Sequence, residues 1–207
     1  MADDKNQMQW VPRTELGKKV ASGEITSLDE VLQSGKKILE TEIIDALVAD
    51  LREEVLEVKS TQRMTAYGRK MQMRAVVIVG NGAGLIGVGI GKAAETRDAI
   101  AEAINDAKKN LLTVKFGCGS WECACGGTHS IPIEVHGKAS STRIMLRPAP
   151  KGVGLVAGKT AKKVLELAGV KDVWSFTSGR TRNSLNVSLA VMNAFDTLNK
   201  LKKGNKK

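Results

Sequence analysis

The 207-residue sequence predicts an α+β protein with two small domains behind an N-terminal extension. Three observations carry this. Strand-like runs over 55–61, 74–79 and 85–90 are followed by a helical stretch, with another helix before them. A Gly- and Cys-rich segment over 117–128 then breaks the pattern as a connector does. A second group of strands and helices follows, with no internal repeat. The predicted divisions are 1–50 for the extension (an arm plus helices), 51–115 for the first domain, 116–128 for the connector, 129–201 for the second domain and 202–207 for a basic tail.

Taken in order, residues 1–26 read as an extended arm that Trp10 and Pro12 pin to another surface. Ser27 stands at an N-cap with Glu30 three residues on, a capping-box pattern, so a short helix runs to Gln33 and closes near Ser34-Gly35. Ile43, Ile44, Leu47, Val48 and Leu51 recur at helical spacing and predict a helix over 40–52. The strand over 55–61 leads into a basic loop over 63–70 and a strand over 74–79. Asn81-Gly82 is a hairpin signal, and the Gly-alternating run over 85–90 is the next strand. A helix over 93–112 follows, with Ala94, Ile100, Ala101, Ile104 and Leu111 on its buried face. Beyond the connector come strands over 130–135 and 143–147, and a turn over 148–152. A helix over 159–168 closed by Gly169, a strand over 173–177 and a helix over 185–201 complete the domain. The Lys-rich tail stays unordered until it meets phosphate.

Composition narrows the function. Hydrophobic residues make up 42%, which fits a packed core, and aromatics only 3%, so Val, Ile, Leu, Ala and Met must build it. No run reaches the ~18 apolar residues a membrane helix needs, and the acidic, polar start does not read as a signal peptide. Three cysteines close together in a chain of cytosolic character argue against a disulfide framework. Net charge is +10 and uneven: residues 1–50 hold 6 Lys/Arg against 10 Asp/Glu, leaving 26 against 12 in the remainder. A basic body behind an acidic segment suits a polyanionic partner.

Gly82-Ala83-Gly84-Leu85-Ile86-Gly87 matches G-x-G-x-x-G and is the strongest enzyme-like signal, which makes a nucleotide-binding enzyme the alternative reading. The match fails in context. A dinucleotide site would start a helix inside the run and place Gly87, Gly89 and Gly91 in it, each at a cost of about 1 kcal/mol relative to Ala. The acidic residue about 20 positions on would be Glu102, in mid-helix. A phosphate-binding loop fails too, because Ala93 stands where Ser or Thr must bind magnesium. His136 is a lone histidine without a paired nucleophile, so catalysis finds no support.

Several ordered motifs then carry a family resemblance. Val79-Gly80-Asn81-Gly82 through Gly87-Val88-Gly89-Ile90-Gly91-Lys92-Ala93, then Arg147-Pro148-Ala149-Pro150-Lys151-Gly152-Val153-Gly154-Leu155-Val156-Ala157, Ala168-Gly169-Val170 and Gly179-Arg180-Thr181, resemble the ribosomal protein S-five family of the small subunit. Trp10-Val11-Pro12-Arg13-Thr14 and Glu42-Ile43-Ile44-Asp45 are similar to the extension of its archaeal and eukaryotic branch, and Cys123-Ala124-Cys125 looks archaeal. The resemblance implies a double-stranded-RNA-binding-like α-β-β-β-α domain followed by a βαβ-type domain with a left-handed crossover. It implies a cytoplasmic place in the small ribosomal subunit, bound to ribosomal RNA, beside the protein S-four and other small-subunit proteins. It also implies a part in translational accuracy and in lining the path of incoming messenger RNA.

The expected RNA-binding residues are Arg63, Tyr67, Gly68, Arg69, Lys70 and Arg74 around the basic loop. There cations neutralise phosphate, and the only tyrosine can stack. Lys92 joins them, as do Gly87, Gly89 and Gly91, whose side-chain-free strip suits both a packed helix and an approaching phosphate. Lys151 and Lys159, among Gly152, Gly154 and Gly158, suit either RNA or an acidic patch on a neighbour. Finally, Cys118, Cys123, Cys125 and His129 have the spacing C-x4-C-x-C-x3-H. Three thiols and an imidazole form a complete set for one structural zinc; reduced thiols in an ordinary connector are the plainer alternative.

Overall fold

The computed structural model describes residues 10–25, 27–33, 35–48 and 50–200, which fall into two compact units divided just before Asp50. Ser34, Leu201 and the basic tail lie outside the described residues, so the expectations for them do too.

The N-terminal unit holds three short helices: α1 (Glu15–Ala21), α2 (Leu28–Gln33) and α3 (Glu42–Leu47). The first corrects the reading of this stretch as a wholly extended arm. Thr14 is its N-cap, and its hydroxyl accepts the Gly17 N–H at 3.1 Å. The third residue after the cap is Gly17, not the Glu or Gln of a capping box, so the local signal is weak. Glu40 supports the cap from a distance, its Oε1 accepting the N–H groups of Arg13 and Thr14 at 2.9 and 2.7 Å. Trp10 and Pro12 pack close to Gly17, where a Cβ would come within 2.9 and 3.0 Å of them. Helix α2 begins directly after Ser27, as expected. Helix α3 is shorter than the predicted 40–52, because Val48 adopts an extended backbone. Among the described residues of this unit, Leu16, Leu28, Val31, Ile38, Ile43 and Ile44 are the buried apolar ones.

The larger unit contains two four-stranded sheets. The first has the order β1 (Arg52–Thr65), β2 (Gly68–Gly80), β3 (Leu85–Ala93), β4 (Leu111–Thr113), antiparallel throughout. Helix α4 (Thr96–Lys109) covers one face. The predicted loop over 63–70 is mostly strand: β1 and β2 continue as a long ribbon that turns only at Ala66-Tyr67. Asn81 does make a turn, but one of four residues. Its Oδ1 accepts the N–H groups of Ala83 and Leu85 at 2.8 and 3.0 Å, closing an Asx-turn.

The buried face of α4 is Ala99, Ala103 and Ala107, one helical turn apart; Ala94 precedes the helix, and Ala101 on it is exposed. The reason lies in the facing strand. A Cβ on Gly87, Gly89 or Gly91 would collide with the backbone of Ala107, Ala103 or Ala99. Small residues on both sides bring helix and sheet into close contact, leaving no room for larger side chains. Helix α4 also caps the free edge of β3: Asp106 accepts the Ile90 N–H at 2.9 Å and Glu102 the Lys92 N–H at 2.8 Å.

The second sheet has β5 (Val135–Ala139), β6 (Thr142–Pro148), β7 (Leu155–Val156) and β8 (Val173–Ser178) in the order β5-β6-β8-β7. Strands β7 and β8 are parallel and joined through α5 (Lys159–Ala168), a βαβ unit, and α6 (Ser184–Lys200) follows. Gly169 caps α5 with φ of +90°, as its position suggested. The strand predicted over 130–135 is displaced. Of 130–135, Ser130 pairs in a bridge to Gly117 and Val135 opens β5, and Pro132, which has no N–H to give a ladder, stands between them.

One apolar core serves both sheets. Val76, Ile78, Ile86 and Val88, on the sheet face away from α4, pack with residues such as Leu165, Val191 and Phe195 of α5 and α6. Polar ties reinforce this: Gly82 and Gly84 donate to the Leu167 and Ala168 carbonyls at 2.9 and 3.0 Å, and Lys163 pairs with Glu54. The Asn81–Gly84 turn therefore seats on the end of α5.

Candidate nucleic-acid interface and metal centre

Register decides which cations act together. In the ribbon, Lys59 pairs with Arg74 and Arg63 with Lys70, and Arg74 pairs across its other edge with Lys92. Directly paired residues share a face, and alternate residues along a strand return to it. Lys59, Arg63, Lys70, Arg74 and Lys92 thus lie on one face, the same one that carries Val76 and Ile78 into the common core. Like charges set opposite one another destabilise a bare sheet. Such an arrangement is relieved by an anion lying across it.

At the foot of the ribbon the cationic face meets the second domain. Lys59, Arg74, Arg180, Arg182 and Asn183 line a cavity of about 280 Å³. The Nε of Arg74 is buried and meets no acceptor among the described residues. Glu57 balances part of this charge, pairing with Lys59 and accepting a hydrogen bond from Ser184 at the start of α6. Burial pushes the Glu57 carboxyl up. The hydrogen bonds from Lys59 and Ser184 and the charges of Lys59 and Arg74 outweigh that and hold it below its ordinary value. In the sequence, Gly179-Arg180-Thr181 stands out as a motif but not as a site, and Lys59 and Arg182 do not stand out at all. Nothing local marks these residues, because only the packing of α6 against the sheet brings them to Arg74.

The other expected RNA residues are distributed differently. Arg69 lies on the opposite ribbon face beside its partner Met64. Tyr67 is fully exposed at the turn, where Gly68 with φ of +131° permits a two-residue loop. Gly87, Gly89 and Gly91 are buried beneath α4, so the packing half of their reading stands and the phosphate half is corrected. Lys151 lines a different cavity, with Cys125, His129 and Asp172, and Lys159 is exposed at the first turn of α5.

The connector residues do converge. The sulfurs of Cys118, Cys123 and Cys125 and a ring nitrogen of His129 all lie within 4.8 Å of one another. His129 Nε2 is 3.2 Å from Cys125 Sγ and 3.7 Å from Cys123 Sγ. A tetrahedral zinc with ordinary bond lengths places such donors roughly 3.5–3.8 Å apart. The Gly127 N–H reaches the Cys125 sulfur at 3.4 Å, an interaction that suits a thiolate. His129 Nδ1 sits 2.7 Å from Asp172 Oδ2, a close ion-pair contact and not an aligned hydrogen bond, and with Nδ1 held there Nε2 faces the sulfurs. Hydrogen bonding from Cys125 and the backbone N–H groups of Lys151 and Cys125 pull the Cys123 thiol down to about 6. Burial, with Cys125 beside it, pushes Cys118 up to about 11. Burial raises the Asp172 carboxyl as well, but the Gly154 and Gly152 N–H groups and His129 bring it below its ordinary value. The donor set fits a structural zinc, with three thiolate-forming ligands and an imidazole oriented by a carboxylate.

Comparison with known proteins agrees with the motifs. Residues 51–115 match the family description "Ribosomal protein S5, N-terminal domain", and residues 137–207 match "Ribosomal protein S5, C-terminal domain". The "Small ribosomal subunit protein uS5" of Methanoregula boonei is 54% identical over 196 residues, covering 95% of this chain and 96% of that protein. Its namesake in Methanospirillum hungatei is 54% identical over 204 residues, covering 99% and 98%. That of Methanocaldococcus jannaschii is 54% identical over 191 residues, covering 92% and 88%.

Proposed function

Since the chain belongs to the uS5 family of small-subunit ribosomal proteins, we propose that it binds small-subunit ribosomal RNA through the cationic face of the β1–β2 ribbon and the cavity at its foot. Its role is that of a structural ribosomal constituent and not of an enzyme. The observation that carries the reading is the stacking of Lys59, Arg74 and Lys92 in one row across three strands, extended by Arg63 and Lys70 along the ribbon and by Arg180 and Arg182 at its base. Phosphate neutralises such a row, and a pre-formed row gains affinity because no loop must be ordered first.

In this reading the first sheet and α4, preceded along the chain by α3, form a variant of the double-stranded-RNA-binding arrangement. The β7–α5–β8 unit is the left-handed crossover of the second domain. Tyr67 and Arg69 at the ribbon tip reach further RNA. Lys151 and Lys159 face the neighbouring protein S-four or RNA, and through this placement the protein bears on decoding accuracy and on the path of incoming messenger RNA. Cys118, Cys123, Cys125 and His129 hold one structural zinc, supported by their mutual distances and the orienting carboxylate.

Binding of the full chain to small-subunit ribosomal RNA across a salt series tests the main point. Arg74→Ala with Arg180→Ala should flatten the dependence of log K on log salt by about 0.9 for each phosphate that is no longer neutralised. An unchanged slope removes the cavity from the RNA interface.

A further inference from the structure

We propose that the zinc site fastens the basic Lys151–Gly154 loop in place, with Asp172 as the positioning residue that links the two. This rests on the zinc reading above and extends it to what the metal is for. Asp172 is buried, and its two oxygens serve different segments. Oδ2 meets His129 Nδ1 at 2.7 Å, while Oδ1 accepts the N–H groups of Gly152 and Gly154 at 3.1 and 2.8 Å. Gly152 and Gly154 have φ of +96° and +74°, the left-handed region in which nearby N–H groups turn toward one anion.

A further link ties the same parts. The backbone of Lys171 and Asp172 donates to the His129 carbonyl at 3.0 and 3.2 Å, so the ring and the main chain of His129 are both held by this segment. Within the loop itself there is little to hold it. Val153 donates to the Pro150 carbonyl at a long 3.4 Å, and Val173 to the Gly154 carbonyl at 3.2 Å.

The order of constraint follows from these bonds. A bound ion fixes the imidazole plane through Nε2. The fixed ring keeps Nδ1 against Asp172 Oδ2 and so sets the carboxylate. The carboxylate sets the loop, and the exposed Lys151 side chain then projects from a defined backbone. Without the ion the ring is free to turn, and the carboxylate loses its contact with Nδ1. The basic, glycine-spaced surface of the second domain therefore depends on metal carried by the connector.

Hydrogen exchange on the full chain, purified in zinc-supplemented medium and analysed for metal, tests this. Removing zinc with a chelator should speed exchange at the Gly152 and Gly154 amides by about tenfold or more. The Gly82 amide, bonded to Leu167, serves as an internal control and should be unaffected. Asp172→Asn should speed the same two amides with zinc still bound, and weaken zinc affinity by about tenfold to a hundredfold. If zinc is present and its removal leaves Gly152 and Gly154 unchanged, the fastening role is wrong and the zinc site stands. If Gly82 accelerates equally, the ion supports the whole unit and not this loop, which also overturns the proposal. If the chain retains no zinc, the zinc reading falls and the proposal with it.

Discussion

Replacing Arg63 and Lys70 together by Thr should move stability and RNA binding in opposite directions. The two residues are directly paired across the ribbon, both are exposed, and no described anionic side chain bonds either of them. Their repulsion costs the free protein about 0.2–1 kcal/mol, and a Thr–Thr pair is favourable in the same position. Thermal midpoint should therefore rise, by about 2–4 °C for each kcal/mol in a chain of this size, and more at low salt than at high. RNA binding should weaken at the same time. Two fewer neutralised phosphates lower the salt slope by about 1.8, so between roughly 50 and 200 mM salt the natural protein should lose about twelvefold more affinity than the variant. Calorimetry and filter binding on the same samples give both numbers. A drop in stability with unchanged salt slope would mean that the pair serves the fold, and the assignment of this face to RNA would be wrong.

Glu57 predicts a pH effect. Its carboxyl lies below the ordinary value of 4.5, so the ionised form contributes stability that is fully present above about that pH and is lost as pH falls through the lowered value. Acid unfolding of Glu57→Gln should lack this component while keeping the remaining acid dependence, and a superimposable profile would remove Glu57 from the account. Gly89→Ala should destabilise by about 1–3 kcal/mol in urea unfolding, because its Cβ meets the backbone of Ala103 and Ala107. A neutral result would show that α4 can shift away from β3.

Much of the fold was legible from residues alone. A continuous apolar run marked β2, Gly–apolar alternation marked β3, and Gly169 marked the end of α5, because these signals are local. The errors have local causes as well. Helix α1 lacked a capping box, Pro132 displaced a strand, and the basic stretch after Thr61 looked like a loop because exposed ribbon residues carry no apolar alternation.

What the amino-acid order determined by itself is the chemistry available: a basic body, a glycine strip beside a helix-forming run, and four zinc-type ligands within twelve positions. Tertiary structure decided what that chemistry faces. Strand register gathered Lys59, Arg63, Lys70, Arg74 and Lys92 onto one face and sent Arg69 to the other. Helix α4 took the glycine strip, since the absence of three Cβ atoms permits its backbone to press on β3. Arg180 and Arg182 reached Arg74 only because a shared core folds the second domain onto the first, and Asp172 reached His129 only through the packing within the second domain. Period and composition are properties of neighbours along the chain, whereas a site depends on residues that become neighbours only when the apolar faces close together.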